Sequence, residues 1–425
     1  MFRTLVNAWK SKDIRTKILY TLLLILLYRL GSYIAIPGVN TAIITESLKN
    51  NYELIGGFMN LFTGGAFSRY SLFAMGISPY INASIIMQLL TVAIPALERL
   101  SKEEDGRSKI EKITRYVGIG LALVQSVSII LAFGEDAVTN ANFLTYATIG
   151  ICCTAGTALL MWMGERITDK GIGNGISFLI FASIVSSVPP TISNIVDQVF
   201  KSGRYYWWAL PILIVVVLVL TVGIVMVDRA ERRIPIQYAK RVVGRKQYGG
   251  QTTYLPIKAN ANGVMPLIFA MTVMNVPQMI VEFVSKDSGF RTFYENYLAA
   301  GTVVYYIIYA LLIVAFAYFY TTISFNPVEI SKNLQQNGGT IPGRRPGKDT
   351  GDYIKRISNR LTLFGALFLM VIAIVPSVLL GLFNLDTALS AFGPTSILIM
   401  ISVALETSAT LESMMLMRHY KGFLG

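Results

Sequence analysis

Apolar runs recur along the chain at about 16–36, 72–95, 116–134, 143–163, 176–188, 209–227, 263–284, 302–325, 361–383 and 392–417, with polar stretches between them. About 20 apolar residues in an α-helix cross the ~30 Å hydrocarbon core of a bilayer, so the pattern predicts ten spans. The fifth, about 13 residues long, needs local thinning, tilt or burial in protein to reach across. An even number of spans returns the C-terminus to the side on which the N-terminus starts.

One segment breaks the rhythm. From Gly56 to Leu90 the sequence GGFMNLFTGGAFSRYSLFAMGISPYINASIIMQLL is interrupted by Gly64, Gly65, Ser68, Arg69, Gly76 and Pro79. Its first part, 58–71, is too short and too polar to span, whereas the part from Leu72 onward is long enough. Irregular backbone at membrane depth is tolerated only where it is buried in protein or lines a water-filled cavity, because lipid satisfies no free N–H or C=O. The stretch reads either as the wall of a pore or as a re-entrant or external loop leading into an ordinary span.

Composition agrees with the pattern. With 53% hydrophobic residues, 14% charged and a mean hydropathy of +0.55 over 425 residues, this is a polytopic membrane protein and not a soluble one. The basic start precedes an apolar segment of about 20 residues without a small-residue cleavage site, so it reads as a first transmembrane helix. Cys152 and Cys153 are adjacent inside an apolar run, a placement that fits neither a structural disulfide nor a metal site.

Charge orients the chain. Placed on ten spans, 30 of the 37 Lys and Arg residues fall on the side of the termini; Lys49, Arg69, Lys201, Arg204, Lys286 and Arg291 fall opposite, and Arg29 lies within the first span. By the positive-inside rule both termini are cytoplasmic. Two cytoplasmic loops exceed what orientation requires. The first, 228–262, has Val, Ile and Tyr around Gly249-Gly250 and reads as a strand-turn-strand finger, with Arg241 along it and Arg245 and Lys246 near its tip. The second, 326–360, contains IPGRRPG, in which Gly and Pro on both sides hold Arg344 and Arg345 outward. Each is either an ordinary positive-inside loop or a docking surface, since paired arginines on rigid turns suit a phosphate-rich or acidic partner.

A faint repeat is present. Gly76-Ile77-Ser78-Pro79 opens the second span and Gly263-Val264-Met265-Pro266 the seventh. These are equivalent places in two five-span halves, which have opposite topology because five is odd. Inverted repeats with interrupted helices at matching positions mark membrane transport folds.

Little in the chain supports catalysis. The single histidine is His419, no HExxH occurs, and Glu406 and Glu412, the one carboxylate pair within a span, are six residues apart and off a shared face. The run Gly171-Ile172-Gly173-Asn174-Gly175 follows no strand and lacks the lysine and serine of a phosphate loop, so it reads as a tight turn from which the fifth span starts abruptly. Ion-coupled transport needs charge at mid-membrane, and spans two, five and seven have none. They share isoleucine: Ile81 and Ile85, Ile176 and Ile180, and Ile268. The i, i+4 spacing puts each pair on one face. Such a face either meets lipid or forms an apolar constriction that excludes water and ions.

Several stretches together resemble the SecY family: GGAFSRYSLFAMGISPYINASIIMQLL, GERITDKGIGNGIS, RRIPIQYAKR followed by GRKQY and LPIK, and IPGRRPG followed by NRLTLFGALF. They occur in the family's order and cover essentially the whole chain. The resemblance implies an all-α polytopic protein with ten transmembrane helices in two inverted five-helix halves, about 1–190 and 191–425, around an hourglass pore. It implies a protein-conducting channel in a bacterial cytoplasmic membrane, not an enzyme, that uses no cofactor or metal. Carried over motif by motif, the pore ring would be Ile81, Ile85, Ile176, Ile180, Ile268 and Ile399, the last with Ile397 and Ile401 as neighbours that fit nearly as well. The plug would be about 57–70, including Gly57, Phe58, Asn60, Phe62, Gly64, Gly65, Phe67 and Arg69. The lateral gate would open between spans two and three of one half and seven and eight of the other. Gln88, Gln125 and Thr272 on those spans would be uncompensated polar groups that keep closure marginal.

The same resemblance assigns the loops. Arg241, Arg245, Lys246, Arg344 and Arg345 would dock the ribosome, through its RNA, or the SecA motor ATPase, with Arg345 the most critical. SecE would clamp the halves, SecG would join peripherally, and signal sequences would enter at the gate from the lipid bilayer. The family's terminal tyrosine motif is here Lys421-Gly422-Phe423, which leaves a hydroxyl role in doubt. A secondary transporter would explain the repeat but not the basic fingers, and an intramembrane enzyme would lack a catalytic set.

Overall fold

The computed structural model describes residues 9–50, 62–103, 105–200, 208–238, 241–243, 246–248, 252–260, 263–283, 288–299, 302–382 and 393–421. They form two compact units, Met1–Ala209 with Leu385–Gly425 and Leu210–Asn384. The chain is a mostly helical, multi-pass membrane protein. Seven described helices are long and apolar enough to cross a bilayer, and a bent pair is an eighth candidate.

In the first unit, α1 (Lys12–Gly31) turns one face, Ile14, Thr21, Leu24 and Tyr28, inward and leaves Leu22, Leu26 and Leu27 exposed, as a helix between protein and lipid does. After α2 (Thr41–Asn50) the chain reaches the interrupted stretch. The sequence pattern starts the second span at Leu72, but residues up to Ile77 are turns, and α3 (Ser78–Ala93) begins with Pro79 in its first turn. Gly76 and Gly263 explain the late start, because both have φ +57, a left-handed conformation that costs an L side chain but not glycine. The repeat is thus present in backbone geometry, since each glycine immediately precedes a helix with proline in its first turn. At the other end of α3 the chain bends by 105° into α4 (Pro95–Lys102), because Pro95 cannot donate the next helical bond.

Helices α5 (Gly106–Ala132), α6 (Phe143–Lys170) and α7 (Gly175–Phe200) follow, and α5 packs between α3 and α6. The fifth span is not short. α7 has 26 residues and continues through Pro189 and Pro190, so tilt or thinning is not required. Its abrupt start is as the glycine run predicts. Gly173 has φ +65, Asn174 Oδ1 accepts from the amides of Ile176 and Ser177 at 3.0 and 3.3 Å, and Thr168 Oγ1 accepts from the Gly175 amide at 2.9 Å. A Cβ on Gly175 would lie 1.9 Å from the Gly164 carbonyl oxygen, so glycine lets α6 and α7 touch backbone to backbone. Gly175→Ala is expected to force them apart and destabilise the protein by about 1–3 kcal/mol, read as a lower unfolding midpoint in detergent. The unit closes with α13 (Pro394–Lys421), which packs on α7.

The second unit contains α8 (Ala209–Arg229), α9 (Met265–Phe283), α10 (Val303–Ser324), α11 (Pro327–Gln336) and α12 (Lys348–Leu382). Phe269 of α9 meets Phe316 and Tyr320 of α10 edge to face, at 5.6 and 6.2 Å. α9 is apolar over Met265–Met274, and Val276, Ile280 and Val281 continue that character along it. Among the described residues the count of spanning helices stops short of the ten spans the sequence pattern predicts, with α1 and α9 the two helices outside it.

The finger is a hairpin in two stages: β1 (Glu231–Tyr238) pairs with β4 (Thr252–Lys258), and β2 (Arg241–Val243) with β3 (Lys246–Tyr248). Val243 pairs with Lys246, so the tip of the finger falls next to Lys246, where the sequence pattern puts it.

Candidate functional site

Five of the six ring isoleucines lie in the first unit and Ile268 in the second. Ile85, Ile180 and Ile399 are buried, at 3, 7 and 4% exposure, and the other three are half-buried. Residues that face outward look different: Leu26 on α1 is 57% exposed and Val219 on α8 is 65%. Ile85, Ile180 and Ile399 are therefore packed inside protein and do not face outward. On α13, Ile397 and Leu398 are buried as deeply as Ile399.

Of the plug residues, Gly57, Phe58 and Asn60 lie outside the described residues. Phe62, Gly64 and Phe67 are buried, Gly65 half-buried and Arg69 exposed. This later part is tied down on several sides. Tyr28 Oη donates to the Thr63 carbonyl at 3.1 Å, and Arg29 donates to the Gly64 carbonyl at 3.1 Å. Thr45 Oγ1 donates to the Ser68 carbonyl at 3.1 Å and Tyr70 Oη to the Ser126 carbonyl at 3.0 Å. The Leu72 amide donates to the Ile34 carbonyl at 2.8 Å. Phe67 and Tyr70 sit in an apolar core with Ile36, Ile44, Ile130 and Ile149. Tyr70 carries a positive φ of 43° that this packing holds in place. The stretch from Phe62 on is a wall anchored to α1, α2 and α5. The sequence missed its anchors, Tyr28, Ser183 and Ser186, because a lone hydroxyl on a span gives no pattern.

Among the gate residues, Gln88 on α3 and Gln125 on α5 are half-buried on helices that pack together. Thr272 does not fit its role as an uncompensated group, since its Oγ1 donates to the Ile268 carbonyl at 2.9 Å. Buried hydroxyls that do lack a partner among the described residues are those of Thr157 and Ser396.

The basic loops form one body. β5 (Gly339–Thr340) adds to β1, pairing Thr340 with Gln237 and Gly339 with Tyr238. Ile234, Ile257, Ile341 and Ile354 share a core beneath them. In IPGRRPG, Gly343 and Gly347 have φ +76 and +95, and Thr350 Oγ1 donates to the Arg345 carbonyl at 2.8 Å. Both arginines are exposed, and the Arg344 guanidinium lies 4.9 Å above the Tyr353 ring. Arg241 and Lys246 stand on β2 and β3, while Arg245 lies outside the described residues.

Comparison with known proteins decides the family. The SecY family model matches residues 71–408. The chain belongs to the SecY family. Relatives named protein translocase subunit SecY are 41% identical in Streptomyces galbus, 42% in Streptomyces coelicolor and 40% in Mycobacterium bovis, each over all of both chains. The SecY fold is seen again in a solved protein-conducting channel, with TM-score 0.66 and 18% identity over 93% of this chain and 91% of that one. The canine Sec61 of a ribosome-channel complex from the endoplasmic reticulum is similar at TM-score 0.63 and 17% identity, over the same shares.

Proposed function

We propose that this chain is the channel subunit of a bacterial protein translocase, passing unfolded secretory polypeptides across the cytoplasmic membrane and releasing transmembrane segments sideways into lipid. The observation that carries this reading is its full-length similarity, at about 40% identity, to relatives named protein translocase subunits. The halves 1–190 and 191–425 clasp the pore, the isoleucines form its constriction, and both termini face the cytoplasm. SecE and SecG complete the complex. SecA or the translating ribosome engages the basic loops and supplies the energy, and the channel itself performs no chemistry. The wall from Phe62 to Gly76 gives the moving part of the plug a fixed end.

Vesicles holding this chain with SecE and supplied with SecA and ATP are expected to protect a secretory preprotein from added protease, whereas vesicles without the chain do not. No protection from a folded, SecE-bound chain would reopen the transporter reading, which ion-dependent uptake of a small solute would then support.

A further inference from the structure

Arg29 lies in the last turn of α1 and is half-buried. A guanidinium within a span is costly unless its donors are met, and a carboxylate is the common partner. Here the partners are neutral. The same nitrogen reaches the Gly64 carbonyl at 3.1 Å and the Ser186 hydroxyl of α7 at 2.8 Å, and that hydroxyl donates onward to the Ser183 carbonyl at 2.7 Å. The site is built around a missing side chain: a Cβ on Gly64 would lie 2.6 Å from both the guanidinium and Ser186 Oγ, and Gly64 has φ +62. Tyr28 repeats the pattern one residue earlier, bonding the Thr63 carbonyl and, at 2.6 Å, Ser183 Oγ. Two consecutive residues of α1 therefore grip two consecutive carbonyls of the wall and two serines one turn apart on α7. Tyr33, just past α1, adds a weaker tie, with Arg69 4.2 Å over its ring and Arg29 at 5.9 Å.

We propose that Arg29 is a positioning residue that sets how readily this channel opens, by latching α1, the Gly64 turn and α7 into one closed arrangement. The proposal rests on the channel reading above. Movement of the turn away from α1 takes the Gly64 carbonyl from a charged group in low-dielectric surroundings, and movement of α7 takes the Ser186 hydroxyl; an unmet donor there costs more than a neutral hydrogen bond contributes. The latch therefore opposes both movements, and it yields only to a ligand whose binding favours the open state by more than the latch opposes it. A well-formed signal sequence meets that condition and a defective one does not.

The test is export of one preprotein with an intact and with a defective signal sequence, by vesicles carrying the native chain, Arg29→Gln, Arg29→Lys or Ser186→Ala. Arg29→Gln is expected to raise the defective-to-intact export ratio by about tenfold, the scale of one charged hydrogen bond. Arg29→Lys should fall between, because a single ammonium lacks the fixed fork of donors, and Ser186→Ala should give a smaller rise. The double variant Arg29→Gln, Ser186→Ala should not exceed Arg29→Gln alone, since both remove one shared interaction.

A purely structural role would lower both exports together and leave the ratio unmoved. An unchanged ratio in Arg29→Gln and Ser186→Ala, with the native chain exporting the intact preprotein, overturns the latch and leaves the channel standing. Should Arg29→Gln fail to accumulate, Ser186→Ala decides alone: a raised ratio supports the latch and an unchanged one overturns it. Native vesicles that export neither preprotein overturn the channel reading and the latch with it.

Discussion

Arg345→Glu is expected to abolish motor-driven translocation while leaving the chain able to assemble with SecE. Arg345 is exposed on a turn whose backbone is fixed by Thr350 and by two glycines at positive φ, so a partner meets it without first ordering a loop. Its neighbour Arg344 is drawn onto the Tyr353 ring, which makes Arg345 the more available of the two. Truncating one member of an interfacial charge pair costs roughly 2–5 kcal/mol, about 30-fold or more in affinity, and a reversed charge adds repulsion. The measurement is ATP-dependent preprotein protection in vesicles, alongside co-purification with SecE. Arg344→Glu should be milder. Near-native translocation by Arg345→Glu would remove this turn from the docking surface.

Ile399→Asn is expected to admit preproteins with defective signal sequences. Ile399 is 4% exposed in the packed first unit, and burying an amide without a partner costs about 1–3 kcal/mol in proteins. If that cost falls on the closed state and is relieved when a wet pore opens, the equilibrium moves toward open. Ile268→Asn should act in the same direction. Leu26→Asn is the control, because Leu26 is 57% exposed on α1 and a substitution there touches no constriction. Export of defective preproteins rising equally in Leu26→Asn and Ile399→Asn would mean that general loosening, and not a ring, is being read.

The sequence makes the helical class and the two basic loops legible, since each rests on a signal many residues long: runs of apolar residues, clustered charge, alternating strands. Signals of one or two residues are less dependable. The fifth span is read as short because Pro189-Pro190 looks like a stop, yet α7 runs through both. Packing in place of local propensity decides such cases. Thr272 shows a related limit: composition reports a polar residue on a span, but not that its hydroxyl is already bonded one turn back. The anchors of the wall are tertiary, linking residues 23 to 157 positions apart, and no period exposes them.

The arginine turn leads directly into α12, whose 35 residues make a rod of about 50 Å. The hydrocarbon core takes up only ~30 Å of it, so a good part of the rod stands clear at the loop end, clamped there by Ile354 in the core beneath β1, β4 and β5. Pro376, near the far end, removes a helical bond and leaves a point of easier bending. On the docking role proposed for Arg345, a push there would grip a handle and not a tether, and would arrive inside the membrane as torque about a softened pivot.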